Sequence, residues 1–135
     1  EDVQETASGI VYAVSALEVS QRIICGHTHC VAIHSLYEDM SAPAMVHTKK
    51  WLTLGEKAKT MASLALGKDA DKEELLRLTE RLSIITQIEN LLTYPSVKEK
   101  VDAGEINIHG WYYDIEDGSI EYYDPDETMF KTLRS

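Results

Sequence analysis

The chain has 135 residues, of which 44% are hydrophobic and 27% are charged, and its formal net charge is −10. A chain of this length buries a real core and corresponds to one domain, and the composition argues against disorder. The negative charge argues against nucleic acid as a partner, because phosphate binding requires clustered lysine and arginine. No apolar run reaches the roughly 20 residues that cross a bilayer, so we expect no membrane partner.

The two cysteines are too few for a secreted disulfide scaffold, which favours a reducing compartment. We therefore expect a cytoplasmic protein, and an organelle or a bacterial microcompartment stays open as an alternative. The sequence begins with Glu1 rather than methionine. A processed, truncated or partial chain is therefore expected.

The first half of the chain is predicted to alternate between helix and strand. Apolar residues at helical spacing predict an amphipathic helix over residues 3–18. The β-branched run over 21–25 is typical of a buried parallel strand and ends at Gly26. Helical patterns then resume over 29–37 and over 44–54.

The second half opens with a polar loop over 67–71, in which Asp71 is placed to cap a long helix. One face of that helix is apolar at every third or fourth position: Leu75, Leu78, Leu82, Ile85, Ile88 and Leu92. Such a face requires a covering surface, which predicts an oligomer. A shorter helix that opens with proline is predicted over 95–102. Strands are predicted over 105–115 and 120–123, joined by a hairpin turn.

This order of elements predicts an α/β fold with a mostly parallel central sheet flanked by helices. Three predicted strands beside about five helices are few for a self-sufficient sheet. We therefore expect that strands from another segment or another chain complete the sheet. The alternative is a small irregular domain.

The most distinctive stretch is the hexapeptide 25–30, CGHTHC, which directly follows the first predicted strand. In open α/β sheets, ligands bind at the carboxyl ends of the strands. His27 and Cys30 are three residues apart on a loop that enters a helix, so both can face one zinc ion. We expect Cys25 to pack inward as a small hydrophobe and His29 to face elsewhere.

The spacing of these side chains leaves other interpretations open. A histidine and a cysteine three positions apart often occur by chance. A disulfide between Cys25 and Cys30 requires an oxidising compartment. Cys30, at the start of a helix, is also a candidate nucleophile.

Two motifs resemble the second half of β-class carbonic anhydrases. Tyr12-Ala13-Val14 and the later run 23–30 resemble the family's "YAV" helix, apolar strand and Cys-Gly-His-x-x-Cys. The stretches 87–97 and 104–115 resemble its ending, Q-x-E-N-L, P-x-V and H-G-W-x-[YF]-D-I. Order and spacing agree over essentially the whole chain, so we expect residues 1–135 to be a single, partial domain of this family.

The resemblance implies a carbonic anhydrase, a lyase that reversibly hydrates carbon dioxide to bicarbonate through zinc-bound hydroxide. It puts the family's zinc-binding histidine and second zinc-binding cysteine on His27 and Cys30. It also implies a homodimer or a higher homo-oligomer. The remaining cysteine and histidines match no ligand position: Cys25, His29, His34, His47 and His109.

The chain departs from the family pattern in two ways. It has no Cys-x-Asp-x-Arg segment, which in the family supplies another zinc-binding cysteine and the Asp–Arg pair that orients the water. No catalytic residue is therefore identifiable in this chain, and we expect the missing groups from an upstream segment or from another chain. Val31 stands where the family usually has glycine, and it adds bulk beside the expected metal.

Two alternative functions stay open. One is a non-catalytic assembly or binding domain that resembles carbonic anhydrase. The other is a related hydrolase acting on carbonyl sulfide or carbon disulfide, which would use the same metal geometry with a different access tunnel.

Overall fold

The computed structural model describes residues 20–37 and 55–133, so the predicted helices over 3–18 and 44–54 lie outside the described residues. The elements in chain order are β1 (Gln21–His27), α1 (Val31–Ser35), α2 (Glu56–Leu66), α3 (Lys72–Leu91), α4 (Pro95–Asp102), β2 (Asn107–Tyr113), β3 (Ile120–Asp124) and β4 (Met129–Thr132). Within the described ranges, no helix has the length and apolar character needed to cross a membrane.

The four strands form one sheet in the order β1-β2-β3-β4. β1 and β2 are parallel, with Ile24 opposite Gly110. The β2–β3 and β3–β4 pairs are antiparallel, with Trp111 opposite Tyr122 in the first of them. The α/β class is confirmed, and the described part of the sheet is mixed, with one parallel pairing and two antiparallel ones.

Two glycines on neighbouring strands allow α3 to lie close to the sheet. A Cβ atom on Gly26 would lie 2.7 Å from Ile84 Cδ1, and one on Gly110 would lie 2.7 Å from Ile84 Cγ2. Both distances are shorter than any ordinary carbon–carbon contact. Ile84 therefore sits against the bare backbone of β1 and β2, which fixes α3 across the parallel pair.

Two apolar clusters hold the helices in place. Leu91, Val97 and Ile106 form the first, which joins α3, α4 and the start of β2. Ile33, Leu36 and Leu76 form the second, with Cys30 packed against it. The second cluster anchors α1 to α3, and it thereby anchors the loop between β1 and α1.

The buried side of α3 differs from the predicted one. Its buried residues are Leu76, Thr79, Glu80, Ile84 and Leu91. The predicted apolar face, from Leu75 to Leu92, is half-buried. The helix is therefore rotated relative to the prediction, because the close contact at Ile84 decides which side faces the sheet.

Local signals at helix starts are confirmed. The Asp71 side chain accepts a hydrogen bond from the Glu74 backbone N–H at 3.3 Å and caps α3. Pro95 begins α4, where its fixed φ suits the first turn and its missing N–H costs nothing.

Candidate metal centre

The CGHTHC stretch lies at the carboxyl end of the parallel pair of strands. His27 is the last residue of β1 and is in register with Tyr113, the last residue of β2. Thr28 and His29 form a turn in which His29 has a φ of +56°, and the extended Cys30 then leads into α1. The predicted position at the end of a parallel strand is therefore confirmed.

Thr28 fastens this loop to the end of β2. Its backbone N–H donates to the Tyr113 carbonyl at 3.0 Å. Its hydroxyl oxygen accepts from the Ile115 backbone N–H at 3.1 Å. Thr28 is buried. The two bonds hold the position of the loop between the two candidate ligands.

His27 has one ring nitrogen occupied and the other available. Its Nδ1 lies 2.8 Å from the Thr28 carbonyl oxygen. A carbonyl oxygen only accepts, so Nδ1 carries a proton, and in the neutral ring with this tautomer the lone pair is on Nε2. A hydrogen bond of this kind is what orients a metal-binding histidine. The arrangement leaves Nε2 suited to a metal ion.

Cys30 is a free, partly buried thiol that packs against the cluster of Ile33, Leu36 and Leu76. Cys25 is also a free thiol, so the two cysteines form no disulfide in this structure. Cys25 is exposed, and the expectation that it packs inward is wrong. Strand alternation turns Gly26, rather than Cys25, toward α3, because the helix needs a glycine there.

Other histidines have different partners. His29 Nε2 pairs with the Glu116 carboxylate. His109 Nε2 lies 2.7 Å from Gln21 Oε1 and so links the starts of β1 and β2. His47 lies outside the described residues.

A buried polar group behind the loop was missed from the sequence. Glu80 is 3% exposed, and its Oε2 accepts from the Cys30 backbone N–H at 3.3 Å. Its Oε1 accepts from the Tyr112 hydroxyl at 2.7 Å. One feature of the sequence could have indicated that Glu80 is buried: it lies four positions from both Leu76 and Ile84 and therefore on the same side of the helix as these apolar residues.

Tyr112 lies between Glu80 and an ion pair formed by Arg81 and Glu121. The Arg81 guanidinium lies 4.4 Å over the Tyr112 ring. Arg81 also forms a bidentate pair with Glu121, with both N–O distances at 3.0 Å. Burial, the hydrogen bond to Glu80 and the charge of Glu80 together raise the pKa of Tyr112.

The loop offers two donors of the types that zinc binds, His27 and Cys30, whereas a zinc site needs three or four. An imidazole nitrogen and a thiolate are ligands that zinc prefers. Among the described residues, no group of three or more His, Cys, Asp or Glu side chains is placed to hold a metal. Val31 is 81% exposed, so its bulk points toward solvent in this chain.

Known proteins similar to this chain are carbonic anhydrases. The family model for carbonic anhydrase matches residues 1–120. Carbonic anhydrase 1 of Escherichia coli O157:H7 is 33% identical over 127 residues, a match that covers 94% of this chain and 57% of the relative. The carbonic anhydrase of Synechocystis sp. is 34% identical over 114 residues, covering 84% of this chain and 41% of the relative.

Solved structures agree in fold. The β-carbonic anhydrase CcaA matches with a TM-score of 0.81 at 30% identity, over 95% of this chain and 57% of CcaA. Tetrameric β-carbonic anhydrases from Sordaria macrospora match in fold with a TM-score of 0.75 at 24% identity, over 87% of this chain and 59% of theirs. This chain spans only about half the length of the relatives that it matches. The chain belongs to the carbonic anhydrase family, in its β class, and corresponds to part of the family's fold.

Proposed function

We propose that this chain takes part in the zinc-dependent, reversible hydration of carbon dioxide to bicarbonate. The observation that carries the proposal is the His27–Cys30 loop, in a chain of this family. There a histidine with its Nε2 left available and a free thiol flank a turn that is hydrogen-bonded to β2.

His27 Nε2 and Cys30 Sγ are the ligands that we propose for zinc. When bound, zinc supplies a Lewis acid that lowers the pKa of water, so that a nucleophile for carbon dioxide exists at neutral pH. Two protein donors hold zinc weakly, because structural and catalytic sites use three or four. The proposal therefore needs the cysteine and the Asp–Arg pair that the family resemblance implies, from an upstream segment or another chain.

The residues of this chain hold the ligands in place. The Thr28 carbonyl keeps the His27 ring in one tautomer and orientation. The Thr28 hydroxyl and N–H keep the loop on the end of β2. The buried cluster at Ile33 keeps Cys30 next to α3.

We further propose a homo-oligomer formed by a single, partial domain over residues 1–135. The tetrameric Sordaria relatives support this, as do large apolar side chains that are exposed in the isolated chain, such as Ile23 and Ile115. A cytoplasmic location and carbon dioxide or bicarbonate as the small-molecule partners stay predictions.

The test is a carbon dioxide hydration assay of the zinc-loaded protein, purified from its natural coding sequence. Reading that coding sequence upstream of Glu1 shows whether it encodes a Cys-x-Asp-x-Arg segment. We expect His27→Ala to reduce hydration to the uncatalysed rate. His29→Ala, which alters a neighbouring histidine paired with Glu116, should keep the activity. Equal activity of wild type and His27→Ala would refute the ligand role.

The same assay separates the alternatives. Sulfide release from carbonyl sulfide or carbon disulfide, with no hydration of carbon dioxide, would favour the related hydrolase. A zinc-loaded oligomer without either activity would favour an assembly domain.

A further inference from the structure

Glu80 is a buried carboxylate in the middle of α3 that is not among the proposed metal ligands. It is 3% exposed and lies one turn from Leu76 and one turn from Ile84, which are also buried. Burying a carboxylate is costly unless it is paired and hydrogen-bonded. The partners of Glu80 therefore indicate what it holds.

Those partners come from three parts of the fold. Arg77, on the same helix, places its Nε 2.9 Å from Glu80 Oε1 as an ion pair. The Tyr112 hydroxyl, from β2, donates to the same oxygen at 2.7 Å. The Cys30 backbone N–H, from the loop, donates to the other oxygen, Oε2, at 3.3 Å. One side chain thus ties α3 and β2 to the loop.

The amide of Cys30 depends on this contact. Cys30 directly precedes α1, where a backbone N–H has no acceptor within the helix. Cys30 packs against the cluster of Ile33, Leu36 and Leu76, so the residue is partly removed from water. A backbone N–H in such a place needs a partner, and Glu80 Oε2 is that partner.

We propose that Glu80 is a positioning residue for the metal ligand Cys30. By holding the Cys30 amide against α3, Glu80 limits the directions that the Cys30 thiol can take. Hydrogen bonds from groups that do not bind the metal themselves can orient a metal ligand, and their loss lowers metal affinity. The proposal rests on the proposed function, in which Cys30 Sγ binds the metal.

The test uses Glu80→Gln in the protein purified from its natural coding sequence, so that every ligand that this sequence encodes is present, with cobalt(II) as a spectroscopic substitute for zinc. Glutamine keeps the shape of Glu80 but has a single acceptor oxygen. Arg77 and the Tyr112 hydroxyl both face the Oε1 side, so we expect the amide oxygen there and the NH₂ group, which cannot accept, opposite the Cys30 N–H. The thiolate-to-cobalt charge-transfer absorbance reports binding by sulfur. We expect Glu80→Gln to weaken cobalt binding by about 10- to 100-fold. Faster hydrogen exchange at the Cys30 amide, measured by NMR without metal, is expected in the same variant.

The matched control is Glu121→Gln. It removes a carboxylate that pairs with Arg81, whose guanidinium lies over the Tyr112 ring. Among the described residues, no hydrogen bond or ion pair joins Glu121 to Cys30. We expect its cobalt affinity and Cys30 exchange rate to equal those of wild type. An equal loss in both variants would indicate a general loss of stability and would overturn the proposal.

The remaining outcomes also test the positioning role of Glu80. Wild-type cobalt affinity in a folded Glu80→Gln variant overturns the positioning role and leaves the proposed function intact. No charge-transfer band in the wild type overturns the metal role of Cys30, and the positioning role with it. If Glu80→Gln does not fold, Glu80→Asp replaces it, because aspartate keeps the charge but is one methylene shorter and does not reach the Cys30 N–H, which Glu80 meets at 3.3 Å. Wild-type cobalt affinity in Glu80→Asp would then overturn the proposal, and a loss of affinity would support it.

Discussion

Tyr112 and Glu80 form a buried pair in which a phenol donates to a carboxylate at 2.7 Å. Burial raises the pKa of Tyr112 above its ordinary value of 10.0, and so do the hydrogen bond to Glu80 and the Glu80 charge. The positive charges of Arg81 and Arg77 act in the opposite direction and are smaller. In the folded chain, Tyr112 therefore keeps its proton at pH values where an unfolded chain releases it.

The consequence for stability is confined to alkaline pH. Because the pKa of Tyr112 is raised on folding, its contribution is complete below about pH 10 and is lost as the pH rises toward the folded pKa. We expect the difference in unfolding free energy between wild type and Tyr112→Phe to shrink from about pH 8 to about pH 11, on either side of the ordinary tyrosine pKa. Urea unfolding at both pH values measures it, and a constant difference would contradict the account.

At the scale of single elements, α3 begins at a side-chain cap, and this cap can be tested. Replacing Asp71 with alanine removes the acceptor for the Glu74 N–H, and we expect the free energy of unfolding to fall by about 1 kcal/mol. Chemical denaturation measures the change. Asp69→Ala is the matched control in the same exposed loop. Its stability should equal that of wild type, and an equal loss in both variants would argue against the cap.

The contact between α3 and the sheet is a second element-level test. Gly26→Ala adds a Cβ that would lie 2.7 Å from Ile84 Cδ1. Overpacking of this kind lowers the free energy of unfolding by about 1–3 kcal/mol. Ile84→Ala removes that Cδ1 atom and also Cγ1, which a Cβ on Gly26 would meet at 2.9 Å, and alone costs about 2–5 kcal/mol. We expect the double variant to lose less than the sum of the two single losses, because the clash is relieved.

The measurement is a double-mutant cycle of unfolding free energies by urea denaturation. Strictly additive losses of unfolding free energy would show that Gly26 is not what allows α3 to lie close to the sheet. In that case the requirement for glycine in the CGHTHC stretch would have another cause.

At the scale of the whole chain, the elements predictable from sequence are those with strong local signals. β1 has a β-branched run, α4 opens with Pro95, and β2 and β3 flank a clear turn. α2 was missed because its buried positions, Ala58 and Ala62, are small and give little periodic contrast. β4 was missed because four residues at the edge of a sheet carry almost no pattern.

The site was predictable only in part. The family resemblance selected His27 and Cys30 from the sequence, and this remains a prediction about their roles. Thr28 and Glu80 were missed, because their partners, Ile115 and Tyr112, are 87 and 32 positions away along the chain. Contacts of that separation follow from the sheet register and from the rotation of α3, which local patterns do not determine.

The most direct test is the zinc dissociation constant of the protein purified from its natural coding sequence, measured by competition with a chromophoric chelator in four variants. His27→Ala and Cys30→Ser remove the proposed ligands, and each should weaken zinc binding by at least about tenfold. His29→Ala and Cys25→Ser alter the same two residue types in the same stretch, and each should bind zinc as the wild type does. Unchanged zinc affinity in His27→Ala or Cys30→Ser would contradict the account, as would an equal loss in Cys25→Ser.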